Sequence, residues 1–293
     1  MASSSLAKTV SGAVAQSGNG AGKMVKSLLN SDSMKHRFGE VMGAKAPQFM
    51  SSIVNLVNSS QPLQGVDGMS VISSAMVAAT LDLPIDPNLG YMYIVPFNEK
   101  QANGSYIKRA QPQMGYKGYI QLALRSGQYK AIEAGPVYEG EMTNWDRFTG
   151  HYERGEKISD KVVGYFGHFE LINGFEKTVY WTAEEMDAHR VKFSKSGNYN
   201  GKPSGTWKSN YEAMATKTVI RNMLSKWGIL SIEMQDAVVK DERPQVYDAE
   251  TGELSDDPKW AGNAAEEDAV DPGIAAKADA FFNSQEAGEV SNG

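Results

Sequence analysis

The sequence predicts an α+β fold in which N-terminal helices are followed by antiparallel strand pairs and a long helix. Asn-Gly dipeptides at 103–104 and 173–174 each lie between alternating apolar runs, and such a dipeptide is a strong short-range signal for a β-hairpin. Residues 207–227 carry the longest helical pattern, whose second half is apolar on almost every side. A helix of that kind is expected to be buried.

Composition divides the 293 residues into three segments. Residues 1–22 are rich in Ser, Gly and Ala, and they predict a disordered N-terminal tail. Residues 23–243 hold the apolar patterns and predict one folded domain. Residues 244–293 are acidic and punctuated by Pro and Gly, which predicts a mostly disordered tail. Within that tail, 274–282 is a candidate for a short partner-binding helix.

The net charge of −6 hides a difference between the body and the tail. Residues 241–293 contain 14 acidic and 3 basic residues, which leaves 26 basic and 21 acidic residues in the remainder. A basic body with an acidic tail indicates nucleic-acid contact or an acidic interaction tail, although a solubilising tail gives the same pattern.

Cysteine and hydropathy limit the compartment in which the chain is expected. The chain has no cysteine, which excludes disulfides and zinc–thiolate sites and fits a reducing cytoplasm. No apolar run reaches the ~18 residues that a membrane span requires. The N-terminus lacks the sustained apolar core of a secretory signal. We therefore expect a cytoplasmic protein without membrane contact.

The first half of the chain predicts helices and then a hairpin. Residues 24–57 have the spacing of two or three short helices, with Ser31 or Ser33 as a cap. A further helix is predicted from Asp67 to about residue 80, and 81–90 is then a loop. Residues 91–95 are aromatic and β-branched, as strands are, and 105–110 is the partner strand. Residues 115–125 form an amphipathic helix that ends at Ser126-Gly127.

The second half predicts strands around the second Asn-Gly turn. The predicted strands are 129–138, 144–149, 161–172 and 175–181. Thr182 and Glu185 have the spacing of a capping box, which predicts a helix from 182 to about 192. Residues 194–206 form a loop long enough to have a function of its own. A final short helix is predicted at 232–242.

A basic run without a single acidic residue lies between positions 100 and 132. Its cations are Lys100, Lys108, Arg109, Lys117, Arg125 and Lys130. Charges of one sign usually alternate with the other on a surface, so this run indicates a site for a large anion such as nucleic acid. Tyr106, Tyr116, Tyr119 and Tyr129 provide rings on which bases could stack, although each fits a core position equally well.

The helix at 115–125 is also a candidate phosphate site. Its first turn has free backbone N–H groups, and Gly115 and Gly118 would let a phosphate approach closely.

A second basic run extends from Arg190 to Trp227 and contains Glu212 as its one acidic residue. Lys217 and Arg221 are i, i+4 neighbours on the predicted long helix, and their helical neighbours include no carboxylate. Like charges so placed cost an isolated helix ~0.2–0.5 kcal/mol, which favours an external anion as their partner. A distant acid such as Glu133 or Glu170 is the alternative partner. Lys192, Lys195 and Lys208 belong to the same run.

Catalytic motifs are weak throughout the chain. The nearest match to a Walker phosphate loop has Ser17 and Met24 at two required positions, which disfavours ATP-driven strand exchange. The one triplet of the nuclease type, Asp257-Pro258-Lys259, lies in the acidic tail. The four histidines show no metal-ligand spacing. We expect no cofactor, with Mg²⁺ acting only as a DNA counterion.

Three separated motifs in this chain resemble the RecT family of phage and prophage single-strand annealing proteins. The motifs are LPIDPNLGYMYIVPF at 83–97, QMGYKGYIQLALRSG at 113–127 and MATKTVIRNMLSKWGILS at 214–231. The resemblance covers about residues 30–243. It implies a bent antiparallel sheet backed by a long helix with additional N-terminal helices, similar to the core of the lambda Red beta annealing protein.

The resemblance also implies a function and a binding site. The function is ATP-independent binding of single-stranded DNA and annealing of complementary strands by a homo-oligomer, a ring or a filament, in homologous recombination. Expected partners are the annealed duplex, a phage 5′–3′ exonuclease and the host single-strand-binding protein. Domain 23–243 would then bind DNA and oligomerise. Phosphate contacts are expected at Lys108, Arg109, Lys117, Arg125, Lys217 and Arg221, with Gln113 and Tyr116 at sugar or base. The basic runs add Lys130, Lys192, Lys195 and Lys208.

Three other functions are compatible with the sequence. A passive single-strand coat would protect DNA without accelerating its pairing. A metal-dependent nuclease would degrade DNA. A phage structural protein would use the basic patch to contact another protein.

Overall fold

The computed structural model describes residues 20–100, 104–194, 197–229, 245–247 and 254–256. The helix predicted at 232–242, the segment 274–282 and Lys195 lie outside these residues, as does Asn103 of the first predicted turn. Among the described residues, no helix is both long enough and apolar enough to cross a membrane.

Four α-helices lie within residues 20–80, the N-terminal part that the structure describes. They are α1 (Gly20–Leu29), α2 (Asp32–Met42), α3 (Ala46–Ser59) and α4 (Gly68–Thr80). The Ser31 side chain accepts a hydrogen bond from the backbone N–H of Met34, and Asp67 does the same for Ser70, so each side chain satisfies a free amide of a first helical turn. Helix α4 is buried along nearly its whole length and forms the centre of this part of the core.

A two-stranded antiparallel hairpin follows, made of β1 (Met92–Lys100) and β2 (Tyr106–Met114). Because side chains alternate between the faces of a strand, the hairpin has one face toward the core and one away from it. Met92, Ile94, Ala110 and Met114 are buried in the core beside α4. The opposite face is therefore left for other contacts, and α5 (Tyr116–Arg125) continues from its end.

The main sheet has the strand order β3-β6-β7 and is antiparallel. Its strands are β3 (Tyr129–Tyr138), β6 (Val162–Leu171) and β7 (Glu176–Thr182), and Asn173-Gly174 turns the chain between β6 and β7 as predicted. Between β3 and β6 lies a smaller hairpin of β4 (Met142–Asp146) and β5 (His151–Arg154). The strand predicted at 144–149 is wrong beyond Asp146, whose carboxylate accepts hydrogen bonds from Phe148 and Thr149 and thereby turns the chain.

The capping box predicted at Thr182 and Glu185 is present and opens α6 (Ala183–Phe193). Short strands β8 (Asn198–Tyr199) and β9 (Lys202–Pro203) follow in the loop. The single helix predicted from Trp207 to Trp227 is instead two, α7 (Gly205–Ser209) and α8 (Tyr211–Trp227). Asn210 separates them because its backbone, at φ −150° and ψ 53°, is not helical.

Helix α8 packs against β3, β6, β7 and α5. Its residues Val219, Ile220, Met223 and Leu224 are fully buried. The predicted α+β class, with an antiparallel sheet backed by a long helix and preceded by helices, is therefore confirmed. Two further strands, β10 (Gln245–Tyr247) and β11 (Leu254–Asp256), pair with each other, and β10 contacts α4.

Candidate nucleic-acid interface

A groove with a volume of about 840 Å³ lies between the β1–β2 hairpin on one side and helices α6, α7 and α8 on the other. We call it the central groove. Its hairpin wall consists of Tyr93, Val95, Phe97, Gln111 and Gln113. These are alternate residues of two paired strands, with Tyr93 opposite Gln113 and Val95 opposite Gln111, so the pleat places them all on the face that α4 does not cover.

One turn after another of α8 contributes to the helical wall. Met214, Lys217, Arg221 and Ser225 follow at intervals of three or four residues, and Thr218 lies four residues after Met214, which places all five on one face of the helix. Lys217 is 7% exposed and Arg221 is half-buried. Because α8 packs on the sheet with its other faces, these two cations are held at fixed positions along the groove.

An aromatic group completes this wall where β7 meets α6. The ring centroids of Trp181 and His189 lie 5.0 Å apart, and those of His189 and Phe193 lie 4.8 Å apart. All three rings line the groove. Tyr116 at the start of α5 adds a further ring beside the hairpin wall. The groove therefore combines cations with flat aromatic surfaces.

Arg190 shapes the loop that closes one end of the groove. Its side chain is fully buried, and its nitrogens donate hydrogen bonds to the carboxylate of Asp187 and to the carbonyl oxygens of Gly197 and Gly201, at 2.8–2.9 Å. Gly197 passes so close to Trp207 that a Cβ there would lie 2.1 Å from the indole ring. These contacts fix the backbone of the loop against α7.

The charged residues that the structure describes along the central groove are basic. Among the described residues that line it, three are basic, namely Lys217, Arg221 and Lys226, and none is acidic. A concave surface lined by one sign of charge concentrates ions of the other sign. The arrangement suits a polyanion with flat bases, which is the chemistry of single-stranded nucleic acid.

Burial and hydrogen bonding raise the pKa of two groups near this wall. Burial raises the pKa of Tyr93, and the neighbouring Tyr116 raises it further. Burial, followed by the carboxylate of Asp187, raises the pKa of Tyr211 to about 12. Both phenols stay neutral at physiological pH and add no negative charge to the groove.

Four of the residues predicted from sequence meet in the central groove. They are Gln113, Tyr116, Lys217 and Arg221. Arg109 lies opposite Phe97 on the same face of the hairpin but toward its tip, where its guanidinium is 3.2 Å from the carboxylate of Glu99. Lys108 is exposed and occupies the alternate register position, so it belongs to the other face.

Lys117 is exposed in the first turn of α5. Its Cδ atom and the Tyr93 hydroxyl lie 3.5 Å and 3.2 Å from the position that a Cβ on Gly90 would take. This places Lys117 beside Tyr93, at one end of the hairpin wall.

Gly115 and Gly118, predicted to let a phosphate approach, are crowded by the protein's own backbone. A Cβ on Gly115 would lie 2.2 Å from the carbonyl oxygen of Gly90, and one on Gly118 would lie 2.4 Å from that of Tyr91. The N–H of Gly115 donates to the Tyr91 carbonyl at 2.9 Å. The close approach that requires glycine is thus an approach of the protein's own backbone.

The other predicted cations lie outside the groove. Arg125 donates to the carbonyl oxygens of Leu81 and Asp82, and Lys130 forms an ion pair of 2.6 Å with Glu170. Exposed Lys192 and Lys208 lie on α6 and α7, next to the groove-lining Phe193 and Trp207. The run at 100–132 is free of acids along the chain but not in space, because three of its cations meet carboxylates from outside it, at Glu99, Asp82 and Glu170.

The four tyrosines predicted to stack on bases also lie in different parts of the structure. Tyr119 and Tyr129 are core residues, and Tyr106 is 66% exposed near the hairpin tip. Tyr116 alone of the four lines the groove.

Several groove residues were missed by sequence reasoning. They are Tyr93, Phe97, Gln111, Trp181, His189, Phe193 and Lys226. Alternation along 91–97 could have found Tyr93 and Phe97 as one face of a strand. The Trp181–His189–Phe193 group arises from a strand-to-helix junction, and no spacing rule in the sequence predicts which way that junction faces.

The fold combines an antiparallel sheet, a long backing helix and a groove lined by cations and aromatic rings. Among the described residues no group of three or more His, Asp or Glu side chains could hold a metal ion. The chain belongs to the RecT family, whose model matches residues 47–254.

Two relatives match three quarters of the chain. The chain is 54% identical over 223 residues to "Uncharacterized protein YqaK" of Bacillus subtilis (strain 168), covering 75% of this chain and 73% of that protein. It is 30% identical over 228 residues to "Protein RecT" of Escherichia coli (strain K12), covering 75% and 80%. Membership supports a role in single-strand annealing and DNA recombination, and it implies single-stranded DNA binding and oligomerisation. Proteins of this family anneal DNA and are not classical enzymes.

Proposed function

We propose that this chain binds single-stranded DNA in the central groove and anneals it to a complementary strand without ATP. The observation that carries the proposal is the composition of the groove, in which Lys217, Arg221 and Lys226 lie along one wall and aromatic rings line both walls. RecT membership supports the same role.

The mechanism is electrostatic. Two bare strands repel each other through their phosphates, and basic side chains that neutralise those phosphates release counterions and reduce the repulsion. Lys217 and Arg221 occupy successive turns of α8, so they would contact neighbouring phosphates of one strand. Watson–Crick pairing then selects the complement, and the protein itself contributes no chemical step.

The rings of the groove hold bases without reading them. Every base has a π-face, and stacking on an aromatic side chain is worth ~1–3 kcal/mol per base. Tyr93 and Tyr116 on one wall, with Trp181 and Phe193 on the other, would stabilise unpaired bases of any sequence. Annealing must accept any sequence, and a groove of phosphate contacts and stacking surfaces suits that requirement.

The remaining expectations form part of the same proposal. The protein acts as a homo-oligomer, as a ring or a filament, in the bacterial cytoplasm. A 5′–3′ exonuclease supplies the single strand, and the host single-strand-binding protein is a further partner. No nucleotide or metal cofactor takes part, and Mg²⁺ acts only as a counterion of DNA. Domain 23–243 carries both DNA binding and oligomerisation.

The test is the annealing rate of two complementary, fluorescently labelled oligonucleotides, with and without the full-length protein and without nucleotide. We expect the protein to accelerate pairing. Binding without acceleration would indicate a passive coat, and shortening of the labelled DNA with magnesium or manganese would indicate a nuclease. Either outcome contradicts the proposal.

A further inference from the structure

The central groove has a second feature that calls for a ligand. Gln111 is 2% exposed and lines the groove, and its amide Nε2 has no hydrogen-bond partner among the described residues. A buried amide without a partner is costly, so an acceptor from outside the described chain would stabilise it. A carboxylate can be that acceptor as well as a phosphate, because both present anionic oxygens.

The chain itself carries such carboxylates. Residues 257–293 contain eight acidic and two basic residues. They also contain Trp260, Phe281 and Phe282, aromatic rings of the kind that line the groove. The segment therefore carries negative charges and aromatic rings, which are the two properties of single-stranded DNA that the groove would recognise.

The segment is also tethered within reach. Strand β10 contacts α4, and α4 packs on the face of the β1–β2 hairpin opposite the central groove. The described chain therefore ends at Asp256 on the other side of a two-stranded hairpin from the groove. Residues 257–293 span roughly 120 Å when fully extended, which far exceeds the path around one hairpin.

We propose, on the basis of the function proposed above, that the acidic segment 257–293 occupies the central groove of its own chain in the absence of DNA and is displaced by single-stranded DNA. The segment would act as an internal competitor that lowers the affinity for short or isolated strands. A longer strand, with many phosphates to offer, would displace it. The acidic tail would then be a regulator of loading, in addition to any role as a partner site.

Tethering makes even a weak contact effective. A linked segment acts at an effective concentration of order 1 mM, so an intrinsic Kd of about 0.3 mM would weaken the apparent affinity for DNA about fourfold. Such a contact is electrostatic, and salt should weaken it because the Debye length is only about 10 Å at 0.1 M.

The test compares two full-length variants in which four carboxylates are replaced by amides. The tail variant is Glu266→Gln, Glu267→Gln, Asp268→Asn and Asp271→Asn. The matched control is Glu153→Gln, Glu156→Gln, Asp160→Asn and Glu176→Gln, which are exposed and outside the groove.

Binding to a labelled oligonucleotide is measured by fluorescence anisotropy at several salt concentrations. We expect the tail variant to bind about threefold or more tightly at low salt, with the gain vanishing as salt screens the contact, and the control to change little.

A third variant identifies the groove as the place of action. With Lys217→Gln and Arg221→Gln already present, the tail changes should give no further gain in affinity. An equal gain from the tail and control variants would show an effect of net charge alone and would overturn the proposal. A gain that persists in the groove background, or that grows with protein concentration, would also overturn it. If the wild-type protein anneals DNA through the groove and the tail variant binds DNA with unchanged affinity, only the proposal that the tail occupies the groove is refuted. Failure of the wild type to bind DNA would refute the proposed function.

Discussion

Arg125 is tied to the backbone at Asp82. Its Nη2 atom donates to the carbonyl oxygen of Asp82 at 2.7 Å and lies 3.9 Å from the carboxylate of the same residue, while Nη1 donates to the carbonyl of Leu81 at 2.8 Å. The guanidinium thus joins the end of α5 to the loop after α4. A residue that appears in the sequence as a phosphate ligand serves in the structure as a link between two elements.

This link predicts that Arg125→Ala weakens the fold more than it weakens DNA binding. Two hydrogen bonds from a charged donor are lost, at ~1.5–3 kcal/mol for a typical one, reduced here by partial solvent exposure. Urea unfolding measures the loss, and the salt dependence of oligonucleotide binding should keep its slope. Lys130→Ala is the comparison, because its ion pair with Glu170 is exposed and such pairs contribute ~1 kcal/mol or less. If Arg125→Ala lowers the slope of log K against log salt concentration, Arg125 contacts DNA after all.

Close backbone approach at α5 predicts a clear effect of a single methyl group. In Gly118→Ala the new Cβ would lie 2.4 Å from the carbonyl oxygen of Tyr91, so β1 and α5 must separate. We expect a loss of ~1–3 kcal/mol in the free energy of unfolding.

Gly39→Ala is the matched control for this change. Gly39 lies within α2 with no atom inside 4 Å of its added Cβ, so alanine there should stabilise the protein by ~0.5–1 kcal/mol. Thermal unfolding of both variants measures the two changes in stability. Equal effects would show that the contact between Gly118 and Tyr91 is not tight.

Burial of Arg190 predicts a large loss on its removal. Arg190→Ala leaves the carbonyl oxygens of Gly197 and Gly201 without their donors and opens a cavity, at a cost of ~3–5 kcal/mol by analogy with broken buried ion pairs.

The same change should loosen the loop that closes the groove. Protection from hydrogen exchange should therefore fall at 197–205 before it falls in the sheet. The exposed Lys202 gives the comparison, since Lys202→Ala should leave exchange unchanged. Uniform exchange across the chain in Arg190→Ala would contradict a local role.

The raised pKa of two tyrosines predicts a loss of stability in alkali. The pKa values of Tyr129 and Tyr211 are raised to about 12, chiefly by burial, against an ordinary value of about 10. Folding favours their protonated forms, so this stabilisation is complete below pH 10 and is lost as pH rises toward 12.

Ultraviolet titration of the phenolates should show that Tyr129 and Tyr211 ionise only near pH 12, and Tyr211→Phe should remove one of these two late transitions. At neutral pH that variant also loses the hydrogen bond to Asp187, at a cost of ~1 kcal/mol. Ionisation of all tyrosines together near pH 10 would contradict the burial of these two.

Local signals in the sequence predicted much of the fold because their causes are local. The capping box at Thr182 and the turn at Asn173-Gly174 depend on residues within a few positions of each other. The break at Asn210, which separates α7 from α8, lies where Trp207 packs against Gly197 and Tyr211, and the first of these contacts comes from outside the helical pattern. No periodicity in 207–227 could show that.

The site was predictable in part for the same reason. Lys217 and Arg221 are four residues apart on a predicted helix, and the sequence alone shows that their helical neighbours include no carboxylate. Three other predicted cations pair with carboxylates instead. Arg109 pairs with Glu99, Arg125 with Asp82 and Lys130 with Glu170, and these contacts depend on the fold. A charge pattern along a chain predicts which cations are available, and the tertiary structure selects those that meet in one groove.

The salt dependence of single-strand binding tests the central groove most directly. Lys217→Gln/Arg221→Gln is compared with Lys35→Gln/Lys161→Gln, which removes two exposed cations outside the groove, and circular dichroism confirms that both variants are folded. Each lost phosphate contact lowers the slope of log K against log salt concentration by ~0.7 for single strands. We expect the groove variant to lose about 1.4 in slope and most of its annealing rate, while the control keeps both. Equal slopes for the two variants would show that DNA binds elsewhere.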